Sequence, residues 1–269
     1  MQYRISEVLF AVGAVLCLAF TLLSCGGGSG TNSDPSAIKV AGNWQISMQK
    51  TGSSLPPKTQ SGFLLQDPQN ALTGGMLLTD SPCSGVGNAS GSVNGSKVYL
   101  AVSPTGISVT LSGTIASGGA TMSGDYTILS TGCSGNRSLS QTGTWTGTLV
   151  APFSGSFTGS FVSKTAGTFQ LSGQITQGAN TGASNAPLTG TLNATDYACF
   201  TGANFAGAIS GTAVILNFSD STTGADVGQI WGTVSADGKS LTGTYDTIPV
   251  GGKIRPCKGG DQGTVTLNL

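Results

Sequence analysis

The chain has 269 residues, and its 11 Lys and Arg balance 11 Asp and Glu for a net charge of zero with no histidine. Charged residues are only 8% of the sequence, which excludes a basic nucleic-acid footprint and an acidic solvating tail. With no His, and with Glu7 as the single glutamate, most acid–base and triad schemes lose their usual base.

Residues 2–7 supply one Arg and one Glu, and an apolar run of 16 residues follows from Val8 to Leu23. A membrane-spanning helix needs about 20. A secretory signal has a positive n-region, a shorter apolar core and small residues at the cut. The run ends abruptly at Ser24-Cys25, and Leu22-Leu23-Ser24-Cys25 resembles the lipobox of bacterial lipoproteins. That resemblance implies cleavage before Cys25, a diacylglycerol on its sulfur and acylation, palmitate included, of the new N-terminus. Each buried CH₂ contributes about 0.8 kcal/mol, and stable anchoring takes more than one chain, so such a cysteine holds a domain at a bilayer without a helix. An uncleaved signal-anchor is the alternative. Gly26 after the cysteine, by the sorting habit of Gram-negative lipoproteins, implies the outer membrane. Residues 1–24 are thus read as signal peptide and 25–38, with "GGGSGTNSDPS", as a flexible tether to the membrane. The mature chain retains ten Asp, ten Lys and Arg, and no Glu.

Beyond the tether the apolar residues alternate. Strands are predicted near 42–50, 61–67, 71–79, 87–93, 97–103, 107–116, 120–129 and 139–150. In "KVYLAVS", Val98, Leu100 and Val102 face one way; Ile107, Val109, Leu111 and Ile115 do the same in the next run. Asp67-Pro68-Gln69-Asn70 reads as a turn, and Asn94-Gly95 as a two-residue hairpin signal. A second series follows near 155–163, 167–176, 187–195, 203–210, 212–219, 227–236, 240–247 and 262–269, with Asp237-Gly238 as another hairpin signal. No segment after the signal has a helical period.

The two series are copies of one another. "GSVNGSKVYLAVSPTG" (91–106) aligns with "GAISGTAVILNFSDSTTG" (207–224), and "GTIASGGATMSGDY" (113–126) with "GTVSADGKSLTGTY" (232–245). The offset is 116 at Cys83/Cys199 and 119 at Tyr126/Tyr245. Repeat 1 therefore covers 39–150 and repeat 2 covers 151–269. Cys17 leaves with the signal and Cys25 takes lipid, so Cys83, Cys133, Cys199 and Cys257 remain. Four thiols in an exported chain read as two disulfides, with three connectivities open. The duplication favours Cys83–Cys133 and Cys199–Cys257, closing loops of 50 and 58 residues.

Eight consecutive short antiparallel strands most economically close as an up-and-down barrel, which removes exposed edges. The expected fold is all-β, with two tandem barrels of about eight strands each; β-sandwiches are the alternative. Gly42-Asn43-Trp44, "SGDY" (123–126) and "LTGTY" (241–245) loosely resemble lipocalin and avidin-type barrels, a likeness of architecture that transfers no ligand. The loops after the third and seventh strands leave a barrel at the same end. Each disulfide is therefore expected to draw two loops across one mouth and leave the other end open.

Chemistry is sparse. Asp125 precedes Tyr126 in one repeat, whereas Thr244 precedes Tyr245 in the other, so no carboxylate pair repeats. Asp220 and Asp226 lack the ligand spacing of a calcium loop and read as solvated. Lys253, Arg255 and Lys258 form a polar loop around Cys257. Trp44, Trp145 and Trp231 are assigned to core packing, with stacking on a sugar ring as the alternative. No catalytic residue, metal ligand or cofactor is assigned. The expected function is a non-enzymatic, lipid-anchored module of the bacterial cell envelope that binds a small apolar ligand, a glycan or an envelope protein. An Asp- and Ser-dependent envelope enzyme such as a hydrolase, or an outer-membrane barrel or assembly component, are the alternatives.

Overall fold

The computed structural model describes residues 38–79, 84–130, 139–249 and 257–269. Its first eight strands are β1 (Gly42–Lys50), β2 (Lys58–Gln66), β3 (Ala71–Leu78), β4 (Gly85–Asn94), β5 (Lys97–Ser103), β6 (Ile107–Ile115), β7 (Thr121–Ser130) and β8 (Leu139–Val150). The second eight are β9 (Gly155–Ser163), β10 (Gly167–Gln177), β11 (Ala186–Ala194), β12 (Gly202–Ser210), β13 (Ala213–Asp220), β14 (Asp226–Val234), β15 (Ser240–Thr247) and β16 (Gln262–Asn268). Each set pairs antiparallel in sequence order and closes on itself, so the protein is all-β with two closed eight-stranded barrels in tandem. Closure is made by β1 with β8, where Met48 faces Trp145, and by β9 with β16, where Phe161 faces Val265. Those two pairings rule out the sandwich alternative.

The alternation of the sequence becomes the inside and outside of each wall. In β6, Ile107, Val109, Leu111 and Ile115 are buried, while Ser108 and Ser112 are exposed. Sequence and structure differ mainly at ends and turns. β2 begins at Lys58, ahead of the apolar run that marks it in the sequence, because Lys58 and Thr59 already pair with Met48 and Ser47. The hairpin between β4 and β5 turns on Gly95-Ser96, with Asn94 drawn into the ladder opposite Lys97. Asp237-Gly238 lies in a five-residue loop, residues 235–239, whose Ser235 and Asp237 side chains accept hydrogen bonds from the Lys239 N–H.

The chain enters both barrels at the same kind of end. Val40 and Phe153, each fully buried, fold across the entry end ahead of β1 and β9. Their backbone N–H groups donate to Gln66 Oε1 at 2.8 Å and Gln177 Oε1 at 3.0 Å. Trp44 adds to the first plug by donating its indole N–H to the Val40 carbonyl at 2.8 Å. The opposite ends, from which the chain passes between β3 and β4 and between β11 and β12, are called the mouths below.

Both barrels belong to one compact unit, and the entry end of the second seats on the outer wall of the first. The Asn43 side chain bonds the Gly211 peptide in both directions, donating to its carbonyl and accepting from its N–H, each at 2.7 Å. Gln45 accepts from the Thr212 N–H at 3.0 Å, and Ser61 shares a 2.8 Å hydroxyl contact with Ser210. Phe63, outward on β2, is buried within the apolar cluster of the second barrel. Gly211 has φ +56°, and a Cβ there would lie 2.2 Å from Gln45 Oε1 and 2.7 Å from Ser61 Cβ. The equivalent turn glycine of the first barrel, Gly95, has nothing within 4 Å.

This asymmetry is testable. Gly211→Ala combines left-handed strain with a steric clash and is expected to lower unfolding stability by about 1–3 kcal/mol, while Gly95→Ala carries the strain alone. Denaturant unfolding of the two variants checks this; equal losses would mean that the turn does not carry the contact.

Candidate functional site

Because the two barrels share one register, their mouths can be compared position by position. Met48 pairs with Lys58 and Trp145, as Phe161 pairs with Phe169 and Val265. Lys50 is thus equivalent to Ser163, Lys58 to Phe169 and Gln60 to Leu171. On the adjoining wall, β7 and β8, Gln141 faces Ile128 in the first barrel. In the second, Asp261 faces Thr247, whose N–H donates to the Asp261 carbonyl at 2.8 Å. One repeat fills this end with rings, and the other lines it with amides and lysines.

In the second barrel the mouth is sealed. Phe161, Phe169, Tyr197, Phe200, Phe218 and Tyr245 form a continuous ring cluster, with centroids 4.1 Å apart for Phe161 and Tyr245 and 5.2 Å for Tyr197 and Phe200. Asp261, buried at 3% exposure, sits among them. Its Oδ2 accepts from the Tyr197 hydroxyl at 3.0 Å and the Tyr245 hydroxyl at 2.7 Å. Its Oδ1 accepts from Ser163 Oγ at 2.6 Å and from the Gln262 N–H at 3.0 Å. A buried carboxylate is tolerable only when so supplied with donors. The Cys199–Cys257 disulfide, with Cα atoms 5.0 Å apart, ties the loop after β11 to the loop after β15 across this end. In the chain-entropy model a loop of 58 residues makes that bond worth about 4 kcal/mol.

The first barrel keeps the tyrosine but not the seal. Tyr126, buried at the position of Tyr245, accepts from Gln141 Nε2 at 2.7 Å in place of a carboxylate. Gly143 and Gly263 lie opposite these tyrosines, and a Cβ at either would meet a ring carbon at 2.6 or 2.8 Å. The Tyr/Gly pair is therefore a shared packing device. Above it lies a cavity of about 170 Å³, lined by Met48, Leu55, Pro56 and Ile128 and by the polar groups of Gln60 and Gln141. Lys50 and Lys58, on the inner register, stand exposed at its rim. Gln60 is buried and fixed: its Oε1 accepts from the Thr79 N–H at 2.8 Å.

Of the residues singled out from the sequence, Cys199 and Cys257 meet as a disulfide. Cys25, Cys83, Cys133, Lys253 and Arg255 lie outside the described residues. Trp44 and Trp145 are core residues at 0% and 1% exposure, but Trp231 is 43% exposed on an outer wall and corrects the core assignment. Asp125 is exposed on β7 and lines neither the cavity at the first mouth nor the two grooves beside Trp231. Asp220 Oδ1 accepts from the Thr222 and Thr223 N–H groups and so caps its own turn. The entry ends, expected to stay open, are closed by Val40 and Phe153. The cavity lies instead at the end from which the β3–β4 and β7–β8 connections leave. Sequence reasoning missed Asp261, Gln60 and Gln141. The signal for two of them was present, since Gln141 and Asp261 each stand two residues before the glycine that faces the repeated tyrosine.

Burial, then the Asp261 carboxylate, pushes the Tyr197 phenol far above its ordinary value of 10.0. Burial and the hydrogen bond to Asp261 do the same for Tyr245. The raised folded values mean that this stabilisation is complete below about pH 10, where unfolded tyrosines keep their protons. It is lost as pH rises further, because the unfolded chain then releases protons that the folded chain retains. Chemical denaturation across pH 8–12 is expected to show a falling alkaline limb. Tyr197→Phe should cost about 1–3 kcal/mol at neutral pH and flatten that limb; an unchanged slope would count against the coupling.

No protein-family model matches the chain, and no curated protein does. Among solved structures it is similar to kievitone hydratase from Nectria haematococca at 10% identity, covering 89% of this chain and 95% of that one. The TM-score is 0.24, and a likeness at that level carries no argument about activity.

Proposed function

We propose that the chain is a lipid-anchored, non-enzymatic binding module of the bacterial cell envelope, in which the mouth of the first barrel takes a small ligand and the second barrel is its rigid support. The observation that carries this reading is the difference between the two mouths. Of two equivalent ends in one molecule, one is packed with aromatic rings and the other holds a cavity with an apolar floor and polar markers. Lys50 and Lys58 at the rim favour a ligand with an apolar body and an anionic head, such as a short-chain carboxylate.

The non-enzymatic reading rests on Asp261, the carboxylate that sits deepest among the described residues. Four donors already occupy its oxygens behind the ring cluster, so it is equipped as a structural acceptor rather than a general base. A membrane-spanning barrel is disfavoured by walls whose outward rows carry Ser108, Thr110, Ser112 and Thr114, where lipid contact calls for an apolar band. Anchoring through Cys25 then supplies the attachment to the membrane, and Gly26 directs it to the outer one.

Calorimetric titration with sodium octanoate, against octanol as the neutral control, tests the mouth. Octanoate is expected to bind more tightly than octanol, and more weakly as salt screens the lysines. Lys58→Phe, which installs the residue of the second barrel, should abolish binding without loss of thermal stability. Undiminished octanoate binding by that variant would remove the mouth as the site. For the anchor, expression in a Gram-negative host with globomycin should accumulate the uncleaved precursor. Mass spectrometry of the untreated protein should find a triacylated Cys25, and an unmodified Cys25 at the mature N-terminus would overturn it.

A further inference from the structure

The outer wall of the second barrel carries a feature that the mouth does not explain. Trp231 projects outward from β14 and is 43% exposed. Pairing across five strands sets it in one row with Ile215, Thr244, Thr264 and Val162. One outward step along the strands, about 7 Å away, lies a second row made of Asn217, Gln229, Asp246 and Gln262, each directly opposite the next. Grooves of about 410 and 500 Å³ run on either side of the indole, and Trp231 and Asp246 line both. Gln262 donates to Asp246 Oδ2 at 3.5 Å and accepts from Lys164 Nζ at 3.3 Å, so the amide row is partly ordered.

The first barrel serves as an internal control. In its equivalent rungs Trp231 is replaced by Ser112, and the row of amides and carboxylate becomes Ala101, Thr110, Thr127 and Thr142. The barrel folds on short alanine, serine and threonine side chains at these positions, so neither the indole nor the planar amides are demanded by the fold.

We propose that this face binds a neutral oligosaccharide. A sugar ring offers an apolar C–H face and a rim of hydroxyl groups. The exposed indole suits the first, and a row of amide and carboxylate groups, which donate and accept in one plane, suits the second. The five-strand row is about 19 Å long at the usual strand spacing, which fits several linked sugars better than one. Asp226 and Asp246 line the groove on one side of the indole, and Lys164 on the other is already engaged by Gln262, so the face selects an uncharged glycan over a phosphorylated or acidic one. This site is separate from the octanoate-binding mouth and does not depend on it.

Tryptophan fluorescence of the full chain, titrated with cellohexaose, chitohexaose and maltohexaose, tests the proposal. Trp44 and Trp145 are buried, so a ligand-induced change reports Trp231. At least one hexaose is expected to bind, and Trp231→Ala to weaken it about tenfold or more by calorimetry. Trp231→Phe should restore part of the affinity, and Gln229→Ala should weaken binding with the Trp231 signal intact. Both side chains point away from the core, so thermal melting and octanoate binding of all three variants should stay unchanged and confirm folding. The proposal is overturned if no hexaose binds below about 10 mM or if Trp231→Ala binds as tightly as the parent. It is also overturned if sedimentation shows reversible self-association of the parent that Trp231→Ala removes, which would make the face a contact between copies of this chain.

Discussion

Backbone pairing of the first strand with the last, in each barrel, is the constraint on which the rest depends. Once β1 meets β8 and β9 meets β16, no strand edge within the described residues of either sheet is left unpaired, and every second residue must enter a shared interior. What happens at the two ends of that interior is then decided by side-chain size. At the entry ends the solution is common to both repeats: one apolar residue, Val40 or Phe153, held by a glutamine carbonyl. At the mouths it diverges, with Phe161, Phe169 and Leu171 on one side and Met48, Lys58 and Gln60 on the other.

That divergence gives the two repeats different interiors on one backbone plan. The second barrel concentrates the costly elements of rigidity: a ring cluster, a carboxylate held by three hydroxyls and a backbone N–H, and a disulfide across the end. The first barrel gives up ring packing at the same positions and gains a lined cavity. The contact between barrels follows the same logic. A two-residue turn that hangs free in the first repeat at Gly95 becomes, at Gly211, the plug that fits between Asn43, Gln45 and Ser61. Phe63, which would be an exposed ring on an isolated first barrel, is buried by the second. The two barrels thus form one compact unit in which the mouth of the first and the outer wall of the second carry side chains that the other repeat lacks.

Much of this was legible in the sequence because a strand's side chains alternate strictly, and because the chain states its pattern twice. Strand positions, barrel closure and the Cys199–Cys257 pair all follow from that repetition. Three features were not legible, for identifiable reasons. In "FLLQ" the three consecutive apolar residues Phe63, Leu64 and Leu65 hide which parity faces inward, and only the pairing of Leu64 with Gly42 settles it. In "QIWG", Ile230 and Trp231 are adjacent, so the outward tryptophan reads as core until Ile230 is placed opposite buried Tyr245. Asn43, Gln45 and Ser61 resemble ordinary outward polar residues, and nothing local announces that another barrel will cover them.

The sequence by itself determined the all-β class, the sixteen-strand order and the division into two repeats. These depend on local period, turn chemistry and spacing, all of which are carried along the chain. The tertiary structure alone decided that the first barrel holds a cavity at its mouth while the second is packed with rings there, which tryptophan faces outward and where Asp261 finds its donors. Those outcomes depend on which residues meet across strands far apart in sequence, and a parity pattern fixes a face without fixing its partner.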